Sequence, residues 1–483
     1  MRKNILYTVA LVSLFVLSAC GDFDELNNDP KQPVDVPANS VFLAGEKNLV
    51  DVYTTSIWTS SPFRVLAQTW TQVANINEAR YQFVSNSAPT GWWDRIYTTA
   101  LSNLSEAKSL YAKENLPEPV RKNKELITDI LEVYAFHLLV NTYGDIPYTE
   151  ALNRTIPFPK YDDAKTVTYD LITRLDQAIA GLDVSASSFG NADQIYRGDV
   201  TKWKKFAATL KLKLALLIAD TDPSTAQTKV AEAVQSGVFS SSADNATFKY
   251  IAGVVANSNP LWQDLVNSTY AIYYAPSNFF VNTLVTLNDP RLPILFTKDK
   301  SDAYSGGIPG EGGVKENLSG FSSYWLGAET PGVLLDYTET SFLLAEAVER
   351  GFAVGGGTAE SYYNQAIKAS IAGFGGTEEA AATYLDQPAV KYSTATGDWR
   401  RKIGYQKWIA FANRNWDSWT EIRRLGHPNI NEVNPPVNAA SAFPLRFYYP
   451  PTEQNSNFAH WNEAVTKLPQ SKDEVTAKLF WLK

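Results

Sequence analysis

The 483-residue sequence predicts a mainly α fold, in which tetratricopeptide-like helix pairs form a scaffold for a loop-rich region with a few short strands. Three observations predict it. Between residue 40 and about 220 apolar residues recur at helical spacing. Helix-closing glycines separate successive candidate helices, as at Gly351 after Ala345 to Arg350. Two stretches, near 238–335 and 386–460, lose that period and fill with Gly, Ser, Asn, Pro and aromatic residues.

At the start, Arg2 and Lys3 precede a mostly apolar run from Ile5 to Leu17, and Leu17, Ser18 and Ala19 precede Cys20. This is the pattern of a lipoprotein signal peptide, residues 1–19, too short to span a bilayer. Cys20 is the expected lipidation site; it is the one cysteine, so no disulfide can form. Residues 20–39 carry Asp22, Asp24, Glu25 and Asp29 among Pro30, Pro33 and Pro37, too polar and broken to pack alone, and are expected to be a lipidated flexible tether. Residues 40–483 are expected to form one domain.

The clearest helix places Trp203, Phe206, Ala207, Leu210, Leu214, Leu217 and Ile218 on one apolar stripe. Asp199 or Thr201 is its expected cap, and Lys202, Lys204, Lys205, Lys211 and Lys213 its expected solvated face. Other helices are expected near 41–52, 62–74, 92–112, 121–141, 164–182, 225–236, 336–350, 358–373 and 400–412. Gly351 suits the left-handed close of one of them, and Arg350 its negative end. Long loops inside a compact domain are commonly functional, which directs attention to the two irregular stretches.

Composition excludes several chemistries. A formal charge of −8, made more negative by loss of Arg2 and Lys3, argues against nucleic-acid binding. His137, His427 and His460 lie far apart, without zinc-like spacing, and His137 continues the stripe of Leu126, Ile130 and Val133, as a core histidine does. No nucleophile elbow, phosphate loop or dinucleotide fingerprint occurs. Among 51 acidic residues some carboxylate pair is inevitable, so that signal is nearly empty for glycoside hydrolysis. No cofactor, metal or enzymatic activity is expected.

Aromatic residues stand out, with 13 Trp, 25 Tyr and 23 Phe, several of them doubled in polar surroundings. Trp92 and Trp93 follow Pro89-Thr90-Gly91, Tyr273 and Tyr274 lie amid Ser and Asn, and Tyr324 and Trp325 lie between Ser323 and Gly327. Each ring taken singly suits a core; as a group they are expected to supply at least one platform for stacking on a sugar face or an apolar side chain.

Several motifs together resemble the SusD/RagB family of nutrient-binding outer-membrane lipoproteins. They are Gln68-Thr69-Trp70 with Arg80-Tyr81, Tyr143-Gly144-Asp145-Ile146-Pro147-Tyr148, Trp203 to Leu217, and Asp289-Pro290-Arg291-Leu292-Pro293. Further on come Ala345-Glu346-Ala347, Gln406-Lys407-Trp408, Trp419 with Arg423-Arg424, and Arg446-Phe447-Tyr448-Tyr449-Pro450 followed by Glu453 and Asn457. The motif residues read physically as scaffold, with Gly144 and Pro147 stopping a helix and Arg423 and Arg424 tying loops to the frame.

The resemblance implies a lipid-anchored protein on the outer face of the outer membrane. It would act as a hinged lid that captures oligosaccharide and delivers it to a TonB-dependent β-barrel transporter (SusC-like). Peptide cargo is the alternative within the same role, and a surface glycoside hydrolase is the reading from another class. By approximate position the resemblance points to the loop from Asn75 to Tyr81 and the Trp92, Tyr274 and Trp325 regions. Asn75, Asn77 and Arg80 would hydrogen-bond a ligand beside Tyr81, while Trp92, Tyr274 and Trp325 would stack on it. Turn formation is the plain alternative for Asn75 and Asn77.

Overall fold

Several helices start at a side-chain cap. Asp163, Asp199 and Asp222 each accept a hydrogen bond from the backbone N–H three residues on, at Thr166 (2.8 Å), Lys202 (3.1 Å) and Thr225 (3.1 Å). Each such cap contributes about 1 kcal/mol. Asp199 is therefore the cap of the Trp203 helix. Gly144 (φ 92°) and Gly351 (φ 76°) close their helices with backbone conformations that cost other residues.

The computed structural model describes residues 36–57, 59, 61–83 and 88–483. The expected signal peptide, Cys20 and the tether up to residue 35 lie outside the described residues. Within them the protein is mainly α-helical, as expected. Helices pack in pairs: Ala38–Thr54 on Ser102–Tyr111, Glu118–Tyr143 on Ala164–Gly181, Val200–Leu217 on Pro223–Ser236, Tyr337–Glu349 on Ala359–Gly373, and Trp399–Ala410 on Asn415–Leu425. Gly45 permits the first pairing, because a Cβ there would sit 2.9 Å from the Leu104 side chain.

Three two-stranded antiparallel ladders occur among the described residues: Trp70–Gln72 with Tyr274–Pro276, Ile146–Pro147 with Tyr161–Asp162, and Ala246–Phe248 with Gly332–Leu335. The first corrects the helix expected over 62–74. A helical turn, Phe63–Leu66, forms, but Gln68 turns left-handed (φ 51°) and the chain then extends to pair with the distant strand. Long-range pairing overrides the local period here.

The lysine face also needs correction. Lys211 and Lys213 are buried, at 2% and 5% exposure, rather than solvated. Lys213 lies 2.5 Å from Asp417 and 3.1 Å from Glu339, and Lys211 lies 2.6 Å from Glu232. Burial of a charge is tolerable only with such partners. Arg423 ties the frame to the C-terminal loops as expected, donating to the carbonyls of Asn141 (2.9 Å) and Leu445 (2.8 Å). His137 is fully buried, with Nδ1 2.7 Å from the Asn141 amide, and burial pushes its pKa down to about 3.

Candidate ligand-binding site

The Trp70–Gln72 ladder positions the first irregular face. Gln72 pairs with Tyr274, and the Val73 N–H donates to the Tyr273 carbonyl at 2.8 Å. The chain then turns through Asn75 (φ 51°), a left-handed position that asparagine tolerates, into the short helix Glu78–Arg80. Gln72 accepts from the Ala79 N–H at 3.0 Å and so clamps the turn from below.

Two distant segments brace this turn. Arg80 Nε donates to the Gly310 carbonyl at 2.8 Å, and the Arg80 carbonyl accepts from the Ala440 N–H at 2.7 Å. The Gly313 N–H donates to the Val73 carbonyl at 2.9 Å. Gly310 is required here: it has φ 78°, and a Cβ would meet the Val437 carbonyl at 2.4 Å. Residues 73–80, 308–314 and 437–440 thus form one braced face.

Asn75 and Asn77 are exposed on that face, while Arg80 is partly buried and used by the brace. Beside them, Tyr270 and Tyr273 are half-buried, their ring centroids 6.2 Å apart. Ile272 and Val314 are each 59% exposed. Lys315 donates to the Ala271 carbonyl and is partly buried, which holds its ammonium below its ordinary pKa. The face therefore offers amides, phenol rings and an apolar rim, a composition suited to a polar ligand with flat apolar sides.

Four expected site residues do not reach this surface. Trp92 is fully buried, edge-on to Phe63 at 4.7 Å. Trp325 (2% exposed) meets Trp70 edge-on at 5.2 Å, and the Arg64 guanidinium lies 5.4 Å from it and 4.9 Å from Trp70. Burial draws that guanidinium down to about 10. Tyr274 (1% exposed) donates its hydroxyl to the Ser56 carbonyl at 2.9 Å, and Tyr81 (3% exposed) packs edge-on to Phe443. The stacking expected of Trp92, Tyr274 and Trp325, and the ligand contact expected of Tyr81, are corrected: all four are packed into the core.

Their neighbours are the less buried members of each doublet, although Trp93 is itself only 5% exposed. Tyr273 rather than Tyr274 borders the face, Tyr324 is less buried than Trp325, and Trp93 rather than Trp92 lines a cleft on the helical frame. In each doublet one ring is more deeply buried than the other, and the residues alone do not say which. Tyr270 is a further ring on this face that its Ser-Thr-Tyr context gives no sign of. No grouping of three His, Cys, Asp or Glu residues able to hold a metal ion occurs among the described residues.

A helical frame thus braces a loop-built face of amides and rings. The chain belongs to the SusD-like family, whose model, described as starch-binding and associating with the outer membrane, matches residues 30–450. Solved structures agree in fold. A chitin-binding protein is 25% identical with a TM-score of 0.78, covering 92% of this chain and 99% of its own. A SusD homologue from Bacteroides uniformis is 26% identical with a TM-score of 0.76, covering 93% and 100%. A chitin-binding SusD homologue from Flavobacterium johnsoniae is 22% identical with a TM-score of 0.76, covering 91% and 98%. No curated protein sequence matches the chain. No helix among the described residues is long and apolar enough to cross a membrane.

Proposed function

We propose that this protein is a cell-surface lipoprotein, anchored through Cys20, that captures oligosaccharide and acts as a lid delivering it to a TonB-dependent outer-membrane transporter, with no bond made or broken. The observation that carries the reading is the braced face, where exposed Asn75 and Asn77 stand beside the half-buried Tyr270 and Tyr273 in a chain of the SusD-like family. Sugars present ring faces for stacking and hydroxyls for amides, and both partners are here within one surface. Two relatives named as chitin-binding favour glycan over peptide cargo.

The lid role asks for a tether and a second chain. Cys20 and the acidic, proline-broken segment after it supply the first, and the exposed apolar rim of Ile272 and Val314 suits the second. The test is affinity capture of the tagged, full-length protein from outer membranes, together with metabolic labelling by a fatty-acid analogue. The expected result is label on the wild type, none on Cys20→Ala, and a co-purifying β-barrel. An unlabelled wild type, or capture without a barrel, contradicts the anchored-lid reading.

A further inference from the structure

A cleft of about 700 Å³ opens on the helical frame, built by other elements than the braced face. Its floor is aromatic: Trp93 and Tyr97 lie with ring centroids 4.9 Å apart. One wall is a helix that changes pitch, since residues Arg95–Leu101 form a π-helix between Ala88–Asp94 and Ser102–Tyr111. Such π segments are rare and frequent at functional sites. In the α-helix that follows, Ser102, Ser105 and Ser109 fall on one face, three and four residues apart, and line one side of the cleft.

The opposite wall is a loop carrying Asn153 and Arg154. Its preceding residue, Leu152, holds φ 65°, a conformation unusual for a bulky side chain and sustained only where the surroundings impose it. Arg154 reaches across and donates to Glu106 at 2.9 Å, although both side chains are open to solvent, at 80% and 39% exposure. Glu453, at the far end, is already engaged by the Tyr161 hydroxyl at 2.8 Å. With Lys113, which also lines the cleft, its two acidic and two basic side chains balance formally.

Beside the mouth, the Pro159 carbonyl accepts from the Asn457 amide at 2.9 Å. One residue from each partner of this bond stand Phe158 and Phe458, 54% and 56% exposed, and Trp461 lies 5.7 Å from the Phe458 ring. The volume lies within the usual range of small-molecule sites, roughly 300–1,000 Å³. Hydroxyls, an amide and a neutralised ion pair over an aromatic floor, with rings outside the mouth, match a neutral polyhydroxylated ligand.

We propose that this cleft is a second ligand site, which takes a neutral oligosaccharide segment independently of the braced face. The inference rests on the glycan-capture reading and adds a second point of attachment to it. A long glycan could then be held at two places on one chain.

The test is calorimetric titration of the full-length protein, purified in detergent, with chitohexaose and maltohexaose, with thermal melts as the control for folding. The variants are Asn153→Ala with Arg154→Ala, Ser105→Trp, and Tyr273→Ala with Asn77→Ala. The expected stoichiometry is two per chain for the oligosaccharide that binds. It falls to one in either cleft variant and to one in the face variant, and binding is lost when cleft and face changes are combined. The exposed Asn153 and Arg154 pair carries the test if Ser105→Trp fails to fold. A stoichiometry of one, abolished by the face variant and unchanged by the cleft variants, overturns the second site and leaves glycan capture standing. Absence of binding by both oligosaccharides overturns the two readings together.

Discussion

Lys213 and Asp417, 204 residues apart in sequence, meet at 2.5 Å in the interior of the protein. They join the Val200–Leu217 helix to the Asn415–Leu425 helix, and Arg414, Glu339, Asp336 and the Tyr53 hydroxyl belong to the same cluster. Removing one member leaves buried charge without compensation, which typically costs about 3–5 kcal/mol. Lys213→Met is expected to lower the unfolding free energy by that order, measured by urea denaturation. A loss below about 1 kcal/mol would mean that the site relaxes or admits water.

The same cluster sets an acid limit. Burial raises the Asp417 carboxyl, but Arg414 and Lys213 outweigh burial and hold it at about 2, below its ordinary 3.8. A depressed carboxylate stabilises the fold above its unfolded pKa and loses that contribution as pH falls through the folded value. The predicted window for this loss is therefore from about pH 4 down to about pH 2. Denaturation curves across that range should show Asp417→Asn with a shallower acid slope than the wild type, from a lower starting stability.

Glu46 shows the opposite sign. It is fully buried, and burial, then the neighbouring Asp193, push its carboxyl well above the ordinary range. One of its oxygens accepts from the Gln194 N–H at 2.9 Å, and the other has no donor, as expected of an oxygen that itself carries the proton toward Asp193. A raised carboxyl stabilises the fold below its unfolded pKa, and that contribution is lost as pH rises through the folded value. Glu46→Gln keeps the hydrogen bonds without the titration. Its melting temperature should therefore gain on the wild type as the buffer is moved from pH 5 to pH 9, and a constant difference would contradict a protonated Glu46.

Inward and outward rings should separate cleanly in mutagenesis. Trp92→Ala and Trp325→Ala are expected to destabilise the protein by about 3–5 kcal/mol through cavity formation. Tyr273→Ala should leave melting nearly unchanged while weakening oligosaccharide binding by roughly 0.5–1.5 kcal/mol, or about two- to tenfold. The reverse pattern, with normal melting and lost affinity in Trp92→Ala, would return that ring to the binding surface.

The helical frame was legible in the sequence because its helices have one buried and one exposed side. The Trp203 stripe and the Asp199 cap are where the pattern puts them. Where burial is complete the pattern disappears. Every residue of Asn415–Leu425 is buried, including Asp417, Glu421, Arg423 and Arg424, so no polar face marks the helix and it falls inside the stretch expected to be irregular. Lys211 and Lys213 misled for the same reason, since their partners come from other helices.

At the candidate site, Asn75, Asn77 and Arg80 share one turn, as their spacing allowed, although only the fold supplies the brace from Gly310 and Ala440. The rings were harder. In each aromatic doublet the sequence is symmetrical, and strand pairing far along the chain decides that Tyr274 faces inward and Tyr273 does not. The tetratricopeptide-like scaffold could be read locally, whereas the candidate face is braced by contacts between distant segments, such as Arg80 with Gly310 and Ala440.

The most direct measurement of glycan capture without catalysis is titration of the soluble chain with chitohexaose, maltohexaose and a matched peptide panel, followed by mass spectrometry of each mixture. The account predicts saturable binding of an oligosaccharide, recovered at its original mass and weakened by Tyr273→Ala. Saturable binding of peptides alone, or shortened oligosaccharide products, would contradict it.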